Sequence, residues 1–231
     1  MMRRAWAAVA VGLVLVMTGC GAAVPEGDAL YRDGEKRFME LATRMHTVLM
    51  GIHEGVWTIP VGGDGAVPGS CTIGFGGADG YAFSYRRTVD LPGMDPEAVS
   101  AAAVAAFREA GFDGTPTTYG SGESAEWNVI ADDETLGNVV ATIRPREGRV
   151  EVSADTPCVP GKAGDLSYMV TDDEHRGDGP STWRYLPATE GPDSVPQFYF
   201  PADGPIYFNE DETPVEPQPV VTDPPKAPYG G

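Results

Sequence analysis

The chain has 231 residues, which corresponds to about one to two domains, and its 42% of hydrophobic residues can form a core. Its 30 glycines and 21 prolines favour a turn-rich domain and exclude a coiled coil or a helical bundle. The formal net charge of −18 argues against nucleic-acid binding, because neutralising phosphates requires a basic surface.

The first 19 residues have the pattern of an export signal. Two arginines are followed by an uncharged apolar run from Ala5 to Met17, shorter than the roughly 20 residues that span a bilayer. Residues 17–20, MTGC, resemble the lipobox of bacterial lipoproteins, in which the cysteine is lipidated and becomes the first mature residue. Met17 departs from the usual leucine, and the alternative is an ordinary secreted protein in which Cys20 has no role.

Lipidation of Cys20 would hold the protein at a membrane. Two acyl chains give stable anchoring, since each buried CH₂ contributes about 0.8 kcal/mol. We therefore expect a signal peptide over residues 1–19, a tether over residues 20–27 and a body on the extracytoplasmic face of the cell membrane. The membrane, reached through this lipid, is the first partner that the sequence predicts.

The two remaining cysteines, Cys71 and Cys158, form an even pair in an exported chain, and such a pair favours a disulfide. The long loop that it would close corresponds to about 4–5 kcal/mol of stabilisation in the chain-entropy model. The alternative is two separate thiols. With three histidines and no CxxC pair, we expect no metal site and no cofactor.

The first part of the chain predicts two helices. One covers residues 28–53, where apolar side chains recur at steps of three and four and Asp28 is a candidate N-cap. The other covers residues 95–110, with Asp95 as the N-cap, Pro96 at the first helical position and Gly111 as the terminator.

Alternating patterns predict five strands. They cover residues 71–76, 81–90, 124–131, 136–143 and 149–154. If the disulfide joins neighbouring strands, the first and last are adjacent and antiparallel, and the hairpins give the order 2-1-5-4-3. The expected fold is thus an α+β domain over residues 28–160, an antiparallel-rich five-stranded sheet packed against two helices. The second helix would connect two parallel edge strands.

The rest of the chain is richer in proline. We expect an irregular extension over residues 161–208, with an edge strand over Asp165 to Thr171 and a small hairpin around Pro201-Ala202-Asp203-Gly204. Residues 209–231 are acidic and Pro-rich, which is typical of a disordered tail. The aromatic segment Phe198 to Phe208 either packs on the domain or contacts an envelope or cell-wall partner.

The sequence contains no complete catalytic motif. His53-Glu54 opens an HExxH pattern, but Trp57 replaces the second histidine. His46 and His53 are interpreted as residues at the edge of the apolar stripe of the helix and not as ligands. The acidic runs 132–134 and 172–178 are interpreted as solvated turns. Alternation in residues 81–85 predicts that Tyr81, Phe83 and Tyr85 belong to the core.

With its lipobox, its order of helices and strands, and its cysteines within CTIGFGG and SADTPCVPG, the chain resembles an actinobacterial envelope lipoprotein. It is similar to the mycobacterial LppA/LppB group over roughly residues 30–160. The resemblance implies a lipid-anchored exported protein without an assigned activity, and it supplies no catalytic residues. We therefore expect a non-enzymatic binding or interaction module. The alternatives are a carrier with an apolar cavity for a small molecule or lipid and, with less support, a hydrolase acting on envelope material.

Overall fold

Three α-helices and nine strands of one sheet form the part of the chain that the computed structural model describes, residues 24–60, 67–74, 78–170, 189–194 and 216–217. In chain order they are α1 (Gly27–Ile52), β1 (Trp57–Thr58), β2 (Val67–Ile73), β3 (Ala78–Asp90), α2 (Pro96–Glu109), β4 (Thr115–Tyr119), β5 (Glu126–Asp133), β6 (Gly137–Arg144), β7 (Arg149–Asp155), β8 (Val159–Pro160), α3 (Ala163–Val170) and β9 (Thr189–Glu190). None of the described helices combines the length and the apolar character that a membrane crossing needs.

The sheet is antiparallel, and β3 organises it. The strand order is β4-β5-β6-β7-β3-β1-β9. Strand β3 is 13 residues long, so each of its edges pairs with two strands. One edge pairs with β7 and β8, and the other pairs with β2 and β1. The α+β class with an antiparallel sheet is as predicted, but the sheet has nine strands in place of five.

Helices α1 and α2 lie against one face of this sheet, and the hydrophobic core lies between the helices and the sheet. In β6 and β7 the buried positions alternate with more exposed ones, as the pleat requires. The core contains Leu30, Phe38, Leu41, Met45, Leu49, Tyr81, Phe83, Phe107, Val129, Val139, Ala141, Ile143, Val150 and Val152. Helices α1 and α2 approach closely at Gly51, where a Cβ would lie 2.6 Å from the Cβ of Ala106.

The local signals for α2 are confirmed. Asp95 Oδ1 accepts hydrogen bonds from the backbone N–H groups of Glu97 (3.0 Å) and Ala98 (3.4 Å), and Pro96 is the first helical residue. Gly111 follows the helix with φ +81°, a left-handed conformation that glycine adopts without strain. The prediction of this helix succeeds because its capping residues bond to backbone groups only two or three residues away.

The start of α1 differs from its prediction. The helix begins at Gly27, with Glu26 at the N-cap position and no side-chain capping bond there. Asp28 lies inside the first turn, so the prediction of Asp28 as the N-cap is wrong. Gly27 belongs to the helix and not to the tether.

The predicted strand order is wrong at one point, and the disulfide explains why. Cys71 and Cys158 are bonded, as predicted, with their Cα atoms 5.9 Å apart. However, Cys71 pairs with Gly80 of β3, and the last sheet strand before Cys158, β7, pairs with the other edge of β3. A Cβ on Gly80 would lie 2.5 Å from Cys158 Sγ, so the bridge passes beside a residue without a side chain. It joins β2, on one edge of β3, to the residue before β8, on the other edge. Strand β2, predicted over residues 71–76, covers Val67–Ile73 and is not adjacent to β7.

Four strands, β1, β4, β8 and β9, and helix α3 were not predicted from the sequence. Strand β4 forms the edge beside β5, so α2 connects β3, which is interior, to a parallel edge strand. Residues 163–170 form helix α3, so the predicted edge strand from Asp165 to Thr171 is wrong. Ala163 and Leu166, three residues apart, are both buried, which is helical spacing. The predicted hairpin around residues 201–204 lies outside the described residues.

Candidate functional site

Arg87 and Glu190 are the charged residues that the described part of the chain buries, with 4% and 9% of their surfaces exposed. They belong to a group of four side chains that we call the carboxylate cluster, His46, Tyr85, Arg87 and Glu190. Glu190 Oε2 accepts hydrogen bonds from the Tyr85 hydroxyl and from Arg87 Nε (3.1 Å). Glu190 Oε1 lies 2.9 Å from His46 Nδ1. Three side chains from two elements thus converge on one carboxylate.

The regular pleat of β3 places Arg87 in the core. Tyr81, Phe83 and Tyr85 occupy alternate positions on the inward face, and Arg87 is the next residue of that series. Its guanidinium carbon lies 4.6 Å from the centre of the Tyr85 ring, and its Nη1 donates to the backbone oxygen of Arg86 (2.9 Å). The core interpretation of the aromatic series is confirmed, and the series ends in a buried cation.

Glu190 reaches the cluster on a short segment, residues 189–194, that we call the strap. Its two strand residues pair with β1, Thr189 with Thr58 and Glu190 with Trp57. The segment then turns, with Gly191 N–H donating to Ser194 Oγ (2.9 Å) and Ser194 N–H donating to Gly191 O (2.9 Å). The strap therefore contacts the domain through two paired residues and one buried carboxylate.

Burial decides the protonation state of Tyr85. Removal from water raises the pKa of Tyr85 well above its usual value, and the adjacent Glu190 carboxylate raises it further, while the Arg87 charge opposes both. Tyr85 therefore remains a neutral phenol that donates a hydrogen bond. A phenol, a guanidinium and an imidazole around one carboxylate form an arrangement suited to binding an anion.

A second polar group lies near the start of α1. Asp33 Oδ2 accepts from the Tyr81 hydroxyl (2.7 Å) and from Arg37 Nε (3.0 Å). Burial raises the pKa of Tyr81, and the bond to the Asp33 carboxylate raises it further. Both inward tyrosines of β3 with polar partners thus favour the protonated form.

These shifts predict a loss of stability at alkaline pH. Unfolded tyrosine ionises near pH 10, whereas folded Tyr81 and Tyr85 hold their protons, so the free energy of unfolding falls as pH rises above 10. Each tyrosine contributes a slope of up to about 1.4 kcal/mol per pH unit. We expect denaturant unfolding between pH 8 and 11.5 to show that the free energy of unfolding falls less steeply with pH in Tyr81→Phe than in the natural chain. Equal slopes above pH 10 would contradict the role of Tyr81. As an internal control, the free energies of unfolding of the two proteins should change in parallel with pH below pH 9.

His46 and His53 have different surroundings in the structure. His53 follows the last residue of α1, where its backbone N–H donates to Leu49 O (2.9 Å), and it takes no part in the carboxylate cluster. His46, from the same helix, contacts Glu190. Cys20, the acidic run 172–178 and the aromatic segment Phe198 to Phe208 lie outside the described residues.

The acidic turn at residues 132–134 is more than a solvated turn. Asp133 Oδ2 accepts from Arg44 Nη2 (2.8 Å), and Asp133 Oδ1 accepts from the backbone N–H groups of Thr135 (2.9 Å) and Leu136 (2.8 Å). Burial alone would raise the pKa of Asp133, but these bonds and the Arg44 charge outweigh it and lower the pKa. The interpretation of this run as a solvated turn is therefore wrong for Asp133, which links it to α1.

Among the described residues, no group of three or more histidine, cysteine, aspartate or glutamate side chains could hold a metal ion. The side chains that converge on a buried carboxylate are His46, Tyr85 and Arg87. Sequence analysis missed Arg87 and Glu190 as members of a site. A charged residue at an inward position of an alternating strand was the available signal for Arg87, and Glu190 gave none.

The fold and cluster thus define an α+β protein with an antiparallel sheet and a buried carboxylate. No family model matches the chain, and no curated protein matches it. Among solved structures, it is similar to the crystal structure of a DUF4853 family protein from Actinomyces odontolyticus, with 15% sequence identity and a TM-score of 0.40. The match covers 55% of this chain and 68% of that chain. A likeness of this extent carries no inference about function.

Proposed function

We propose that this chain is an exported lipoprotein of the cell envelope, anchored by acylated Cys20, and that it works as a binding or interaction module and not as an enzyme. The observation that carries the export part is the Cys71–Cys158 disulfide within the fold. Disulfides persist in oxidising compartments outside the cytoplasm and are rare within it. Together with the apolar leader and MTGC, this favours an extracytoplasmic location.

The start of the folded body suits a lipid anchor at Cys20. Gly27, the first residue of α1, lies seven residues after Cys20, so the tether spans at most about 25 Å. Helix α1 has 26 residues and is about 39 Å long, so its far end can project well away from the anchored end. This arrangement would keep the domain near the membrane while leaving other surfaces open to partners.

The binding role is supported by the chemistry of the carboxylate cluster. Its donors recognise an anionic group through hydrogen bonds and charge, and a carboxylate of the chain itself already occupies them. Recognition of this kind requires correctly placed hydrogen-bond donors and does not require a nucleophile or another group that forms covalent bonds. A binding module is therefore the simplest function that the described residues support.

Membrane fractionation tests the anchor. The Cys20→Ala variant, expressed in an actinobacterial host, should leave the membrane fraction and appear in the medium, or remain as an uncleaved precursor. Ser121→Ala, a substitution at an exposed serine outside the leader, is the matched control and should fractionate like the natural chain. A mature Cys20→Ala protein that stays membrane-bound would refute lipid anchoring.

A further inference from the structure

The contacts that hold the strap on the domain do not depend on its being part of the same chain. Its backbone pairs with β1 over two residues, and the Glu190 side chain supplies the buried contact. A Cβ on Gly191 would lie 3.7 Å from Val56 Cγ2, and the backbone turns after Gly191 through the bonds with Ser194. An extended dipeptide that contains a glutamate could therefore make the same contacts as Thr189 and Glu190.

These contacts match a known mode of peptide recognition. Extended peptides add to the edge of a sheet, where main-chain hydrogen bonds provide affinity and a side-chain pocket provides specificity. Here β1 provides the edge, and the pocket is formed by His46, Tyr85 and Arg87. Removing the strap would expose that edge and leave the Arg87 charge without its carboxylate, and both effects favour a replacement of the same chemistry.

We propose that β1 and these three side chains form a binding site for an extended, glutamate-bearing peptide of a partner protein, and that the strap is its internal occupant. A partner binds by displacing the strap. This proposal rests on the binding-module role and names the partner's chemistry. It is independent of lipidation, since it concerns residues of the folded body alone.

The position of the site fits contact with a partner. His46 lies 19 residues after Gly27, which places it about 29 Å along α1 from the end nearest Cys20. Val56, beside the strap, has 60% of its surface exposed. A partner peptide can therefore approach at a distance from the anchored end of the helix.

The covalent connection between the strap and the domain determines how tightly a partner must bind to displace the strap. An occupant on the same chain competes at an effective concentration of about 1 mM or more, so a short free peptide displaces it poorly. Removing the Glu190 carboxylate from the strap lowers this competition without changing the pocket. Peptide affinity should therefore rise when the internal glutamate is removed.

The test uses full-length protein and a synthetic peptide with the sequence of residues 187–195, PATEGPDSV, blocked at both ends. Calorimetry should show saturable binding to the Glu190→Ala variant, at least about tenfold tighter than to the natural chain. The same peptide with glutamine at its glutamate position should bind at least about tenfold more weakly. Peptide should also raise the melting temperature of the variant.

Two results would overturn the proposal. One is no saturable binding to the folded variant at millimolar peptide, and the other is equal binding of the glutamate and glutamine peptides. Glu190→Gln retains the size of the side chain and provides a second host if Glu190→Ala does not fold. Membrane fractionation of the same proteins reports the anchor separately, so failure of peptide binding and failure of anchoring are distinguishable.

Discussion

Replacing Glu190 with alanine should lower the free energy of unfolding by about 3–5 kcal/mol, the cost of leaving a buried charge without its partner. Arg87 is 4% exposed, and the variant would leave its guanidinium without the carboxylate that Nε contacts at 3.1 Å. The Tyr85 hydroxyl would lose its acceptor as well. Denaturant unfolding at neutral pH, followed by circular dichroism, measures the change.

A matched substitution on the strap provides the control. Asp193 is exposed on the same segment, so Asp193→Ala should change the free energy of unfolding by no more than about 0.5 kcal/mol. The double variant Glu190→Ala/Arg87→Met removes both charges and should recover part of the loss, because two apolar side chains leave no unpaired charge. Equal effects of Glu190→Ala and Asp193→Ala would contradict the role of the carboxylate cluster.

Removing the disulfide is expected to destabilise the domain by about 2–5 kcal/mol. The bridge joins residues 87 positions apart, so it restricts the unfolded chain strongly. The Cys71→Ala/Cys158→Ala variant should therefore unfold at lower denaturant concentration than the natural chain. Natural protein treated with a reductant should shift towards the same midpoint.

Cys20→Ala is the matched control for this experiment, because it removes a cysteine outside the bridge. Its unfolding midpoint should equal that of the natural chain and should shift in the same way on reduction. Peptide mapping without reductant should recover Cys71 linked to Cys158. Two alkylatable thiols in protein from the cell envelope would contradict the bridge and the export that we infer from it.

The elements that the sequence predicts well are those with local signals. Helix α2 has its capping aspartate, its first-turn proline and its terminating glycine within the segment itself. The inward face of β3 follows from simple alternation. In each case the signal lies within the segment itself, even though the partners of β3 are distant in sequence.

The elements that were missed depend on distant contacts. Strand β4, TPTTY, contains a proline and has mostly exposed side chains, and only its pairing with β5 makes it a strand. The strand order failed because a disulfide fixes the proximity of two residues but not which strands are hydrogen-bonded. Glycine at position 80 allows the bridge to join strands on opposite edges of β3, a geometry that sequence spacing does not encode.

The candidate site shows the same division. Arg87 stands out as a cation at an inward strand position, and its burial requires a compensating partner. That partner, Glu190, lies 103 residues later on a two-residue strand in a segment with weak local signals. A buried cation can be identified from the sequence pattern, whereas the carboxylate that neutralises it is identified by the fold.

The mass of the mature amino-terminal peptide tests the central proposal most directly. Protein extracted from the envelope of an actinobacterial host and digested should give a peptide that begins at Cys20 and carries a diacylglyceryl group, with residues 1–19 removed. A peptide that begins at Cys20 or elsewhere without acyl chains, from protein recovered in the cytoplasm, would contradict a lipid-anchored envelope protein.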